Sequence, residues 1–397
     1  MLSVFKLAEA MNEAATGMFQ SNVEPYEFMG TLEESSAEMN YILMSEQANM
    51  EEFLVGAEEI MTEAAMSNPD ALDTICENVL ENLTSGLKKF IDKLIAMVKG
   101  VIAKLKAFFF KFTGKTDKWL SVMEPRINAA KPGAENATTE RHLWDVDYVI
   151  DGMAKGLLGS MKTGESSVNN DLKSYKDLKS TAESEIKAGR GDFTKAKTQG
   201  KDIDSKEVKA AMNNKTSALN KFKVTVEDFE NTWNDTLLSE SAKHFGVSGG
   251  SSLEDMWTNV AKKVYKGTLE KKTVSVKDAG GVQALKESVK NSKDAIKKLQ
   301  DAYDEHIKAL QKIRSDVEGL TDSKSSTITA EDKYAGEFVN TYKSLVSKYC
   351  SLISKKLSGV EGVMTTARGK NVAWVQEMVS ENMNSITAYC NYKGEKK

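Results

Sequence analysis

Proline is almost missing from this chain. Four occur in 397 residues, at Pro25, Pro69, Pro125 and Pro132, and none lies beyond position 132. Proline interrupts helices by removing an amide donor and clashing with the preceding turn. A long proline-poor stretch rich in Ala, Glu, Lys, Leu, Met and Ser is therefore helix-permissive, and the expected class is all-α. Cysteine is also scarce. Cys76, Cys350 and Cys390 are far apart, odd in number and part of no CxxC or Cys/His cluster, which argues against a zinc site and a disulfide framework. They read as small core residues. No apolar run approaches the ~18 residues of a membrane span. The first residues, with Lys6 followed by Glu9 in a short apolar run, do not have the pattern of a signal peptide. The sequons at Asn82 and Asn214 then read as chance.

Catalytic patterns are equally thin. His142, His244 and His306 have no HExxH or other ligand spacing around them. No phosphate-loop, dinucleotide or nucleophile-elbow pattern stands in a strand–turn–helix context. The glycine-rich stretch at Gly246, Gly249 and Gly250 lacks the flanking strand that a phosphate loop needs. Carboxylate pairs such as Glu33 with Glu34 sit in a segment so acidic that pairing carries no information. The chain is expected not to be an enzyme, with no catalytic residue, cofactor, metal or small-molecule substrate.

What is present is charge, unevenly distributed. The net charge is −4, yet residues 1–86 carry 15 Glu and 2 Asp against Lys6 alone, a net of −16. Residues 87–120 carry nine Lys against Asp92 and Asp117, a net of +7. Such polarity points to a self-neutralising fold or to a charged segment with its own partner or fate.

Apolar periodicity gives the organisation. Residues 1–20 and 31–66 read as acidic amphipathic helices, with Asn68, Pro69 and Asp70 breaking the second. Residues 87–112 give the clearest pattern: Leu87, Phe90, Ile91, Leu94, Ile95, Val98, Val101, Ile102, Leu105, Phe108, Phe109 and Phe112 fall on one helical face. Lys88, Lys89, Lys93, Lys99, Lys104, Lys106 and Lys111 fill most of the other. Gly114 is placed to stop this helix. Residues 121–140, with Pro125, Pro132 and Gly133, read as a linker and domain boundary. Further helices are expected at about 141–158, 166–188, 205–240 and 252–266. Loops are expected at Gly189 and Gly191, at 246–250, and at Gly280 and Gly281, with 273–276 as a short extended piece.

From Val282 to Leu320 a heptad runs unbroken through twelve a/d positions, interrupted in polarity only at Ser292 and His306. On that seam His306 reads as a packed or register-setting residue. A second helical pattern over 330–358 makes 282–358 an antiparallel coiled-coil-like hairpin, and a last helix follows at about 370–392. The domain reading is an acidic leader (1–86), a Lys-rich helix (87–120), a linker (121–140) and a helical bundle (141–397).

Two readings compete for 87–112. It is either a helix docked on its own core with Lys outward, or a surface for lipid or phosphate. A Leu/Ile/Val/Phe face opposite Lys suits a lipid interface, and Lys alone suits unspecific phosphate binding. Phe108, Phe109 and Phe110 favour lipid or protein over duplex DNA. The candidate membrane- or anion-binding residues are the seven lysines above together with Phe108 and Phe109.

The leader carries a recurring form of apolar residue, any residue, Glu, then a small residue. It occurs with Glu9 before Ala10, Glu13 before Ala14, Glu34 before Ser35 and Glu63 before Ala64. These resemble sites cut by the prohead proteases of large tailed bacteriophages. The layout of an acidic helical leader and a Lys-rich helical body, and the style of Leu87, Lys88, Lys89 and Phe90 through to Lys118 and Trp119, resemble the internal head and other virion structural proteins of such phages. The resemblance implies a non-enzymatic virion protein packaged in the head, with leader removal at Glu9, Glu13, Glu34 or Glu63 and association or ejection with DNA. Its partners would be other virion proteins or itself, and DNA or a membrane surface through 87–112. Two alternatives come from other classes: an α-helical membrane-active protein of the pore-forming kind, and a coiled-coil scaffold or adaptor acting through 282–358.

Overall fold

The computed structural model describes residues 75–129, 141–142, 144, 146–200, 215–224, 229–252, 255–256, 258–259, 273–274, 279–321 and 336–391. The expected leader helices at 1–20 and 31–66 and the four leader Glu sites lie outside them. Among these residues, six helices have defined bounds: α1 (Ile75–Ala129), α2 (Val146–Thr198), α3 (Thr216–Leu219), α4 (Phe229–Phe245), α5 (Ala279–Thr321) and α6 (Gly336–Asn391). Arg141–His142 (β1) pairs antiparallel with Thr273–Val274 (β2), His142 opposite Thr273. This two-residue bridge is the one place where the extended reading of 273–276 has a counterpart. The all-α expectation holds.

α1, α2, α5 and α6, of 55, 53, 43 and 56 residues, form a four-helix bundle. At about 1.5 Å per residue the longest reach roughly 80 Å. α1 and α2 each pack on α5 and α6, and α4 lies across α2 and α6. Helix directions follow from side-chain pairs. Lys88–Glu318, Asp92–Arg314, Lys106–Asp304, Asp117–Lys293 and Glu124–Lys286 climb α1 as they descend α5. Ser167 and Asp171 meet Lys356, while the Tyr175 ring stacks on that of Tyr349 at 6.0 Å. α2 is therefore antiparallel to α6. Ion pairs Asp147–Lys298 and Glu165–Lys312 make α2 parallel to α5. α5 and α6 are antiparallel, with Ser288 against Asn382 and His306 against Glu361.

The α5 heptad is the best-realised sequence feature. All ten seam positions from Val289 to Leu320 whose side chains are described are buried, Ser292 and His306 included. Ser292 satisfies its hydroxyl on the Val289 carbonyl at 2.6 Å, the back-bond that lets Ser sit inside a helix. The seam closes within one chain.

Several helix ends depart from expectation, and on α1 the cause is buried side chains that continue past a supposed stop. α1 runs through Gly114 and Pro125 to Ala129. Thr116, Trp119 and Met123 carry its buried stripe onward, and one helical glycine costs only ~1 kcal/mol. Pro125 lies in the last turns, where few backbone bonds remain to be lost. The first nine residues assigned to a linker are thus helical. α2 joins the two helices expected at 141–158 and 166–188 and passes through Gly189 and Gly191 to Thr198. Gly280 and Gly281 belong to the first turn of α5 rather than to a loop. The helices expected at 330–358 and 370–392 are one, α6. In 205–240, a single helical turn at Thr216–Leu219 is followed by non-helical residues 222–224 before α4 begins. The loop at 246–250 is as expected, with Gly246 and Gly250 at φ of 60° and 70°.

α4 sits close against α2 over a glycine stripe. A Cβ at Gly152 would lie 2.4 Å from the Phe245 ring. At Gly156 it would lie 1.9 Å from Ser241 Oγ, and at Gly159 2.7 Å from Glu240 Cγ. Tyr148 and His244 complete the contact. The Tyr148 hydroxyl donates to the His244 carbonyl at 2.9 Å, and the two rings lie 4.5 Å apart.

Candidate functional site

The side chains of the Lys-rich stretch of α1 divide into three groups. Leu87, Phe90, Ile91, Leu94, Ile95, Val98, Val101, Ile102, Leu105, Phe108, Phe109 and Phe112 all lie in the bundle core. Phe108 stacks on Phe112 at 6.0 Å and meets Phe109 edge-on at 5.6 Å. The apolar face offered to lipid in the sequence reading is therefore already occupied by α5 and α6. Phe110, which the reading grouped with its neighbours, is 81% exposed. A helix turns 100° per residue, so three consecutive Phe cannot share one face.

The lysines at the edge of the buried face form the second group. Lys88 pairs with Glu318 at 2.6 Å, and Lys106 reaches both oxygens of Asp304 at 2.7 and 2.8 Å. Exposed pairs of this kind contribute ~0–1 kcal/mol each, so the ladder fixes the register of α1 on α5 more than it stabilises the bundle. Glu318 and Glu124 are held below the usual carboxylate range chiefly by hydrogen bonds from Lys88 and Lys286.

The third group points outward. Lys89, Lys93, Lys99 and Lys104 are exposed and Lys111 is half-exposed. Lys89, Lys93 and Lys99 have no carboxylate partner among the described residues. α1 thus presents a cationic strip along its solvent side.

A second charged constellation was only partly legible in the sequence. Glu361 and Arg368 of α6 meet His306 of α5 inside the bundle, none more than 2% exposed. Arg368 Nη1 donates to Glu361 Oε1 at 2.5 Å, and Thr365 donates to the same oxygen at 3.2 Å. His306 Nε2 lies 2.9 Å from Glu361 Oε2, close but not aligned as a hydrogen bond. The Arg368 guanidinium lies over the Tyr303 ring, 5.8 Å from its centre. Burial alone would raise the Glu361 pKa; the Arg368 and His306 charges prevail and lower it to about 2. Sequence reading found His306 but not its partners. The available signal was a Glu and an Arg seven apart, on the apolar face shared by Leu357, Met364 and Val375. Enclosed on all sides, the cluster is built for pairing helices rather than for meeting a substrate.

The glycine-rich loop presents no phosphate cradle. Its amide at Ser251 and the Ser251 hydroxyl both donate to Asp255 Oδ2, at 3.2 and 2.6 Å, and the Asp255 amide donates to Ser252 Oγ. Among the described residues no group of His, Cys, Asp and Glu could hold a metal, and no helix is long and apolar enough to cross a membrane. Cys350 is buried and its thiol is pushed up to about 12.

A long-helix bundle with a buried ion cluster and a cationic outer strip is an architecture of packing surfaces. Residues 7–370 match the family model of phiKZ-like phage internal head proteins. The match spans most of the chain, and the protein belongs to that family. It is a structural component of the phage virion, as the leader and Lys-rich layout had implied. No curated protein and no solved structure matches it.

Proposed function

We propose that this internal head protein is non-enzymatic and lies against the packaged genome, with the outward strip of α1 facing DNA phosphates. The observation that carries this reading is the burial of the whole apolar face of 87–112 while Lys89, Lys93 and Lys99 stay outward. A helix whose apolar face is committed to its own core has little to insert into lipid, whereas its free cations can still release counterions from DNA. This favours phosphate over a membrane surface as the partner of α1. The α5 seam, already closed within the chain, is likewise a poor candidate for an adaptor's oligomerisation surface. The acidic leader, net −16 over 1–86, would be removed at Glu9, Glu13, Glu34 or Glu63 during maturation. Cutting at Glu34 or Glu63 would leave a body of net positive charge in the capsid, whereas a cut at Glu9 or Glu13 would leave it negative.

Two measurements on intact particles test this. Protein–DNA cross-linking mapped by mass spectrometry is expected to give adducts at Lys89, Lys93 and Lys99. Cross-links confined to other head proteins, or to other faces of this one, would overturn the DNA reading. The N-terminus of the protein recovered from particles is expected at Ala10, Ala14, Ser35 or Ala64. An intact Met1 would remove the processing step.

A further inference from the structure

α6 is one unbroken helix of 56 residues, yet its middle is built unlike its flanks. From 358 to 369 the sequence holds Gly359, Gly362 and Gly369 together with Val360, Val363, Thr365 and Thr366, all weak helix formers. Gly164 of α2, which meets this stretch, has a packing reason: a Cβ there would lie 2.7 Å from Val360. Gly362 has no such reason, because among the described residues no heavy atom lies within 4 Å of where its Cβ would stand. A helical glycine that packing does not require weakens the local helix about two- to fivefold against Ala. Gly100 of α1 is equally open. It lies between the Asp92–Arg314 and Lys106–Asp304 pairs, and His306 lies within the same interval of α5.

The glycines therefore stand at the height of the buried Glu361, Arg368 and His306 cluster. That cluster is an independent weakness. Arg368 Nε and Nη2, His306 Nδ1 and the Tyr303 hydroxyl have no hydrogen-bond partner among the described residues. Buried polar groups of this kind regain hydrogen bonds when water reaches them. Poor helix formers and unpaired polar groups thus lower the cost of local opening at one height of the bundle. The flanks of α6 are held differently. Phe338, Tyr342 and Tyr349 are buried on one side of the stretch, and Trp374, Met378 and Met383 on the other. We propose that residues 358–369 form a hinge, opening locally while both flanks of α6 stay packed, so that the long bundle flexes at its middle. Such a hinge lets a rod of roughly 80 Å follow a curved surface that a stiff rod could not. It does not depend on which partner the outward strip of α1 meets.

Amide hydrogen exchange of the full chain in native buffer, read by mass spectrometry and corrected for intrinsic rates, tests this. A uniformly packed helix is most protected at its centre and frays at its ends. Here a protection minimum is expected inside the helix, with 358–369 exchanging at least about tenfold faster than 342–353 and 374–386. Gly362→Ala adds a methyl in open space, so it should slow exchange of 358–369 about two- to fivefold. The flanks should keep their protection, which also reports that the variant is folded. Protection in 358–369 equal to or above that of both flanks would overturn the hinge. So would a Gly362→Ala effect that is absent or spread evenly along α6.

Discussion

Glu361 and Arg368 stand two turns apart on α6 with Oε1 2.5 Å from Nη1, and neither side chain is more than 1% exposed. The pair is closed against His306 of α5, while Arg368 Nε and Nη2, His306 Nδ1 and the Tyr303 hydroxyl have no hydrogen-bond partner. Desolvating several polar groups with incomplete pairing is expensive. The cluster is better understood as a device that selects one register of α5 on α6 than as a source of stability.

That view separates single from combined substitutions. Glu361→Met or Arg368→Met alone leaves an uncompensated buried charge and is expected to cost about 3–5 kcal/mol. Replacing Glu361, Arg368 and His306 together by Met, Met and Leu should cost far less than the sum, or stabilise the bundle by ~1–4 kcal/mol. Denaturant unfolding of the variants checks this, and strict additivity would sink the account.

Acid should act through the same carboxylate. The folded pKa of Glu361 is lowered from 4.5 to about 2. A depressed folded pKa gives stability that is complete above the unfolded value and is lost as pH falls through the folded one. The loss attributable to Glu361 therefore falls between about pH 4.5 and 2. Asp151, Asp255, Glu124 and Glu318 are also lowered, but each is at or near the surface, so salt screens their share. In high salt, the wild-type chain is expected to keep a steep stability loss over this window that Glu361→Gln flattens.

Glycines on one helix should respond with opposite signs. Gly156→Ala puts a methyl 1.9 Å from Ser241 Oγ and 3.2 Å from the Leu237 carbonyl oxygen, and is expected to cost ~1–3 kcal/mol by pushing α4 off α2. Gly191 has nothing within 4 Å, so Gly191→Ala should gain ~0.5–1 kcal/mol through helix propensity alone. Thermal melts followed by circular dichroism report both, and equal effects would mean that α4 does not rely on the stripe.

How much of this was legible depends on what each residue meets. The α5 seam was readable because ten described positions share one buried fate along a strict repeat. Helix stops at Gly114, Gly189 and Gly191 were misread because glycine is a weak local signal, and at Gly114 the decision lay with Thr116, Trp119 and Met123 packing beyond it. Gly152, Gly156 and Gly159 stayed invisible as a docking surface because their meaning resides in α4, some 80 residues away in sequence. The lysines of α1 looked alike in sequence. Only the antiparallel register on α5 separates Lys88 and Lys106, matched to carboxylates, from Lys89, Lys93 and Lys99.

Two adjacent phenylalanines give the sharpest test of that division. Phe109 is 1% exposed within the core and Phe110 is 81% exposed. Phe109→Ala removes a large buried ring and is expected to cost about 3–5 kcal/mol in global stability. Phe110→Ala removes surface that the bundle does not use, and should stay within ~0.5 kcal/mol in unfolding of the described helices. If 87–112 instead worked by leaving the bundle to insert into lipid, its apolar face would be only weakly held. Phe109→Ala would then shift unfolding little, and both substitutions would reduce liposome binding together. A large stability loss at Phe109, with liposome binding absent in the wild type and in Phe110→Ala, keeps α1 as a bundle helix whose outer strip alone meets partners.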